Sequence, residues 1–385
     1  MVKMEKKQNK NSGRVLAVDV LRGLTICLMI LVDDNVGEEF EFFHHPVWTG
    51  ISLADFVFPC FITLMGVSMF FSLGKFNFKP NGKSIFRIIR RFVLLFLAGW
   101  IISRICVGID SVFDGGGFFA AALDLSKLRI MGVLQRIAVC YLFAGLIVLF
   151  VHNRKALIGI IVALLVGYSI ILGFGNGYDL SDSNVLIVFD KAVLTPEHMY
   201  NKMTTYDGSR MLFDPEGLLS SIPCIAQTLM GFLIGGLLKD KDKDGKTKVL
   251  YMFIIGFVLL VVGYLISLFI PAFKKAWTMP FVFIMVGVDV GFLALLMWII
   301  DVKKKNKWCK FFQVYGSNAI VSFAAMDILW VLLDDLGLTI IPYNLLLPIC
   351  FGCEGVASLI TTILFILLLY VLLYFLDKKK IYIRL

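Results

Sequence analysis

Several kinds of site are missing from this sequence. It has four histidines, His44, His45, His152 and His198, and no HxxxH or CxxC-plus-His spacing, so neighbouring residues do not assemble a zinc-type centre. No GxSxG elbow and no GxxxxGK(S/T) loop occurs, which excludes the usual strand–turn–helix frames for serine hydrolysis and nucleotide phosphate binding. Of eight cysteines, Cys27, Cys60, Cys106, Cys140, Cys224 and Cys309 fall in or at the ends of apolar stretches without a framework spacing, which argues against a disulfide scaffold. Cys350 and Cys353 form a CxxC in apolar surroundings without a thioredoxin-like context, so they read as packing residues. Charge is sparse as well, at 17% of 385 residues.

What fills the chain instead is apolar: 59% hydrophobic residues and a mean hydropathy of +0.87, more than a soluble fold can hide. The apolar residues group in stretches of about 20, the length of helix that crosses a hydrocarbon core of roughly 30 Å. Ten spans are expected, at 15–32, 51–73, 88–107, 128–151, 157–174, 218–238, 249–270, 277–300, 311–333 and 356–376. The fold class is therefore an all-α integral membrane bundle of about ten transmembrane helices forming a single domain, 1–385.

Charge orients it. Of 37 Lys and Arg, 27 lie in segments 1–14, 74–91, 152–155, 239–248, 301–310 and 377–385, and six in the segments between. Lys and Arg in short loops resist translocation, so both termini, including the tail 1–14, are expected to be cytoplasmic. The same distribution explains the net charge of +9 without nucleic acid. The first apolar segment contains Asp19 and Arg22 and no small-residue cleavage site, and is not expected to be a removed signal peptide. Loops 33–50, 108–127, 175–217 and 334–355 are extracytoplasmic on this topology, and long ordered loops tend to carry function. No internal repeat is found.

Ionisable residues within hydrocarbon must be paired or functional. Asp19 and Arg22 share a helix face and suit an intrahelical pair. Arg104, Arg129, Gln135 and Arg136 fall in the third and fourth spans, and Asp289, Asn318 and Asp327 in the eighth and ninth; four such arginines suit an anionic ligand, because guanidinium binds phosphate bidentately. The densest titratable cluster follows the first span: Asp33, Asp34, Glu38, Glu39, Glu41, His44, His45 and Asp55. A histidine fixed by a carboxylate can take a proton from an amine or hydroxyl, and His45 with Asp34 is the expected pair. Asp214, Pro215 and Glu216 have the chemistry of a helix start, with Asp214 as cap, or with Asp33 and Asp55 they bind a cationic acceptor.

Six ordered motifs, VDVLRGLTICLMILVDDNVG, HHPVWTGISLADFVFP, LRIMGVLQRIA, DPEGLLSSI, KKAWTMPFVF and YGSNAI, resemble the heparan-alpha-glucosaminide N-acetyltransferase family from Val18 to about Ile320. The resemblance implies a membrane acetyltransferase that moves an acetyl group from cytosolic acetyl-CoA to the terminal amine of a glucosamine on the far side of the membrane. It places the family's catalytic histidine at His45. The family's partner position, eleven residues earlier, is often Asn and here is Asp34, though some relatives also carry Asp-Asp. By the same resemblance Arg129 and Arg136 are assigned to the donor, with Arg22, Gln135 and Asn318 as further donor-binding candidates. Expected partners are acetyl-CoA, an amino-sugar or glycan acceptor, the lipid bilayer and a second copy in a homodimer, with no metal and no nucleic acid. Animal relatives carry a lumenal N-terminal extension; a chain beginning at the first bundle helix is expected in a bacterial inner membrane with its site facing the periplasm. O-acylation of a cell-envelope polysaccharide and transport of a small anionic solute are the alternatives.

Overall fold

A computed structural model describes residues 15–382; the tail 1–14 lies outside them. Among the described residues the chain is helical except for one two-stranded hairpin. In order, the helices are α1 (Leu16–Asp33), α2 (Val57–Leu73), α3 (Gly82–Phe113), α4 (Phe118–Leu123), α5 (Val133–Phe150), α6 (Arg154–Phe174) and α7 (Val185–Leu194). The hairpin β1 (Met203–Thr204) and β2 (Arg210–Met211) follows. Then come α8 (Ser221–Lys239), α9 (Gly245–Ser267), α10 (Met279–Met297), α11 (Cys309–Ser317), α12 (Ala319–Asp335), α13 (Ile340–Ile349) and α14 (Glu354–Lys378). The architecture is an all-α membrane protein.

All ten expected spans are helical, with corrections. Among the described residues, eight helical spans are long and apolar enough to cross a membrane, or nine if α11 and α12 count as one span. The tenth, α1, is 18 residues long but carries Asp19, Arg22 and Asp33, so it falls outside that count. The expected span 311–333 is bent by 86° where α11 meets α12 at Asn318. The span expected from residue 128 begins as a helix only at Val133, because Arg129 is drawn aside by carboxylates; Arg129 therefore lies before the helix. Likewise α8 starts at Ser221, and Asp214-Pro215-Glu216 forms a separate turn in which Asp214 accepts from the Glu216 amide at 3.0 Å.

Without a hydrophobic driving force in lipid, helices associate where small residues let backbones approach. Two contacts set the frame. A Cβ at Gly23 would overlap the Phe312 carbonyl, and one at Gly316 the Asp19 carbonyl, so α1 and α11 touch backbone to backbone. Gly66 of α2 and Gly231 of α8 meet the Thr228 and Thr63 carbonyls in the same way. A buried polar chain reinforces the second contact: Thr63 donates to Asp289 at 2.6 Å, Gln227 donates to Thr63 at 3.1 Å and to the Pro59 carbonyl at 3.0 Å, and Trp277 donates to Gln227 at 2.9 Å. Lipid-facing helices such as α9 and α14 leave their large apolar side chains on the outside.

Gly23→Ala is expected to force α1 off α11, at a cost of roughly 1–3 kcal/mol typical of overpacking. The check is thermal unfolding in detergent beside Gly159→Ala, whose Cβ meets nothing within 4 Å and which should leave the midpoint unchanged.

Candidate functional site

The His44–Gly50 loop is fixed by its aromatic and its glycine. Trp48 is buried, packs on Phe213 and Phe273 with ring centroids 5.1 and 5.2 Å away, and donates to the Tyr178 carbonyl at 2.8 Å. Gly50 bridges to Phe273 with φ of +110°, a backbone state that a side chain would strain. Lys275 donates to the Val47 carbonyl at 2.5 Å. Three segments distant in sequence thereby hold the histidine loop against the end of the bundle.

Within this frame His45 Nδ1 lies 2.8 Å from Asp55 Oδ1. Asp55 is 1% exposed, and its other oxygen accepts from the Ser52 amide at 3.0 Å and from the Ser52 hydroxyl at 3.4 Å. With Nδ1–H donated to a fixed carboxylate, His45 turns the lone pair of Nε2 outward, the arrangement of a carboxylate-oriented base. Lys274 Nζ stands 3.4 Å from Nε2 and 3.7 Å from Asp55 Oδ1.

The pairing expected from sequence is thus corrected: the carboxylate on His45 is Asp55, not Asp34. Asp34 lies just past the end of α1, buried, with Oδ2 unpartnered and its main-chain carbonyl accepting from Thr362 at 3.1 Å. Burial, then the neighbouring Asp33 and Asp327 carboxylates, push its pKa up to about 9. A carboxyl with that value is protonated at neutral pH, and a protonated Asp has the shape and hydrogen-bonding capacity of the Asn expected there by resemblance.

A cavity of about 410 Å³ opens before His45 and is lined also by Asp33, Asp55, Arg129, Tyr200, Lys202, Glu216, Lys274 and Lys275. Of the four carboxyl groups expected to bind an acceptor, Asp33, Asp55 and Glu216 line one cavity, and Asp214 stands behind it. Arg129 grips Asp214 through Nε at 3.1 Å and Nη2 at 2.5 Å, reaches Glu216 at 2.5 Å, and stacks on Tyr200 at 4.8 Å. Burial alone would raise the Glu216 pKa; Arg129 and then Arg136 outweigh it and hold the carboxyl below its usual range. Burial pushes Lys275 down to about 8, against the pull of Asp55.

A second cavity, about 360 Å³, is lined by Arg22, Ser68, Ser72, Arg87 and Arg91 together with apolar residues of α1, α2, α3, α5 and α12. Met29, Phe61 and Val133 line both cavities, so the two lie on either side of a shared apolar wall. Along α1 the route from Arg22 to Asp33 spans about 17 Å at 1.5 Å per residue. Arg22 is paired with Asp19 at 3.6 Å and donates to Ser68 at 2.6 Å. Arg91 lies over the Tyr141 ring at 4.4 Å with Nε buried and unpartnered.

The other arginines and amides assigned to the donor stand elsewhere. Arg136 is fully buried behind Trp277 and donates to the Gly217 carbonyl at 3.0 Å and to Ser220. Arg104 donates to the Ala121 and Ala122 carbonyls and ties α3 to α4. Gln135 donates to the Phe96 carbonyl at 3.1 Å. Asn318 donates to the Ile381 carbonyl at 2.8 Å at the α11–α12 bend. Neither cavity is lined by Arg104, Gln135, Arg136 or Asn318. Sequence reasoning missed Arg87, Arg91 and the role of Lys274; the readable signal was the i,i+4 spacing of Arg87 and Arg91 facing Ser68 and Ser72, also four apart.

No family model matches the chain. It is similar to the curated heparan-alpha-glucosaminide N-acetyltransferase of Mus musculus, 26% identical over 390 residues covering 85% of this chain and 56% of the relative. It is also similar to the protein of that name from Homo sapiens, 24% identical over 361 residues covering 82% and 53%. The resemblance carried by the six motifs is therefore borne out at the level of distant relatives, and the chain spans about half the length of the curated relatives it matches.

Asp55→Asn should cut turnover of any base-dependent reaction at this site by about 10²–10⁴-fold, whereas Asp34→Asn, which replaces a protonated carboxyl by its isostere, should leave it near wild type. Because the Asp34 pKa is raised from 3.8 to about 9, its proton contributes stability that is present below the lower value and lost as pH rises through the upper. Thermal midpoints in detergent from pH 5 to 9 should fall with pH, and Asp34→Asn should flatten that fall.

Proposed function

We propose that the protein is a transmembrane acetyltransferase that takes acetyl-CoA into the arginine-lined cavity and transfers the acetyl group to an amino sugar or related glycan in the His45 cavity. The observation that carries this reading is the adjacency of the two cavities across the shared residues Met29, Phe61 and Val133, with guanidinium groups in one and a carboxylate-oriented histidine in the other. Arg22, Arg87 and Arg91, with Ser68 and Ser72, form a donor set suited to the phosphates of CoA. Passage of the thin pantetheine arm between the shared apolar side chains would bring the thioester to His45. There His45 Nε2 takes the proton of the attacking amine while Asp55 holds the imidazole. Asp33 and Glu216 offer carboxylates to a cationic acceptor.

The distant relatives, named as N-acetyltransferases acting on heparan alpha-glucosaminide, favour nitrogen over oxygen as the acceptor atom. On this reading the Arg22 end faces the cytoplasm, both termini lie there, and the His45 mouth opens to the periplasm of a bacterial inner membrane. A transporter of a small anionic solute is the second reading, favoured by the bend at Asn318, since interrupted helices mark many solute paths.

Purified protein in liposomes, given radiolabelled acetyl-CoA and glucosamine, should form labelled N-acetylglucosamine, and His45→Ala should abolish it. Transfer that survives the substitution overturns the assignment of His45. Uptake of a labelled anion without any transfer supports the transporter instead. Label trapped on the protein by donor alone and lost in His45→Ala would replace direct transfer by a route through an acetyl-histidine.

A further inference from the structure

The proton-accepting pair leaves a cation beside it without a role. Lys274 lines the outer cavity, with Nζ 3.4 Å from the His45 nitrogen that faces that cavity and 3.7 Å from Asp55 Oδ1. Its position is set by a stiff turn. The Trp277 amide donates to the Lys274 carbonyl at 2.9 Å, and Trp277 itself is 1% exposed, with left-handed backbone at φ +49° and its indole bonded to Gln227. On either side, Phe273 bridges to Gly50 and Lys275 donates to Val47, so Lys274 and His45 ride on one frame.

An ammonium has donors only, so Lys274 cannot compete with His45 for a proton from the acceptor. Its contacts, 3.4 Å to His45 and 3.7 Å to Asp55, are also longer than those of its neighbours. Arg129 is gripped by Asp214 and Glu216, and Lys275 is committed to a carbonyl. A donor fixed beside the nitrogen that positions the nucleophile is aimed at the place where negative charge develops when that nucleophile adds to a carbonyl.

We infer that Lys274 stabilises the oxyanion of acetyl transfer, an assignment that rests on the acetyltransferase reading above. In the step, the neutral amine nitrogen bonds to the thioester carbonyl carbon and the carbonyl π pair moves to oxygen, where the Lys274 N–H donors hold it. The nitrogen's proton passes to His45 Nε2. When the oxyanion collapses, the carbon–sulfur bond breaks and CoA leaves as a thiolate. The imidazolium proton then converts it to the thiol, giving amide plus CoA.

The test is steady-state transfer from acetyl-CoA to glucosamine by the full chain. A wild-type protein that does not turn over retires the acetyltransferase reading itself, before Lys274 is addressed. With an active wild type, Lys274→Ala should lower kcat about 10²–10³-fold while the KM for acetyl-CoA stays within about threefold, as for loss of an oxyanion donor. Ethylamine should restore part of that kcat, and sodium chloride of equal ionic strength should not. Lys274→Met, similar in length and without a hydrogen-bond donor, serves should the alanine variant fail to fold. A kcat within threefold of wild type in either variant overturns the inference, as does a kcat loss in a folded alanine variant that ethylamine leaves unrelieved.

Discussion

The Asp55 carboxylate is the joint on which this structure turns. It accepts from the Ser52 amide and hydroxyl on one oxygen and takes His45 and Lys274 on the other, so the start of α2, the histidine loop and the α9–α10 turn converge on one buried group. A buried carboxylate without such partners would be expensive, and with them it demands their positions. The aromatic packing of Trp48 and the left-handed turn at Trp277 then follow as the means by which two loops are brought to the same oxygen.

Behind this joint the charges are arranged in graded compensation. Arg129 is saturated by Asp214 and Glu216, so it organises the cavity wall rather than facing a ligand. Arg136, fully buried over Trp277, sets a second positive charge behind Glu216, which helps hold that carboxyl below its usual range, while its Nη2 donates to the Gly217 carbonyl and Ser220. Asp34 takes the opposite solution: beside Asp33 and Asp327 it escapes the cost of burial by remaining protonated. Two carboxyl groups adjacent in sequence thus meet different surroundings, Asp33 at the cavity and Asp34 in the packed interior.

Hydropathy located every span because each needs its own apolar length, but it averages over a window and could not register the bend at Asn318, where apolar residues continue on both sides. Nor could it see that Arg129 precedes its helix, since the cause is a carboxylate pair 85 and 87 positions away. His45 was legible from its motif. Its partner was not, because Asp34 and Asp55 lie at similar distances along the chain and only the fold turns Asp55 toward the ring. Arg87 and Arg91 were hidden among the positive charges that orient the bundle, and Lys274 among outer-loop lysines. Arg104 and Arg136 misled in the other direction: a half-buried arginine bonded to main-chain carbonyls, and a buried one packed over Trp277 and bonded to the Gly217 carbonyl and Ser220, look in sequence like arginines awaiting an anion.

The apolar residues Met29, Phe61 and Val133, shared by the two cavities, bear on how enzyme and transporter readings differ physically. A solute path must rehydrate its cargo at both ends and pass it whole, which calls for polar groups at the narrowing. Here the wall between the two cavities is lined by thioether, phenyl and isopropyl groups, and the polar groups stand on either side of it. Such a wall is unfavourable to a hydrated ion, yet it suits a slender, mostly apolar arm whose charged head stays with Arg22, Arg87 and Arg91. The proposed reaction needs only the acetyl group to change sides, so an apolar partition is compatible with chemistry at His45 in a way that it is not with bulk solute flow.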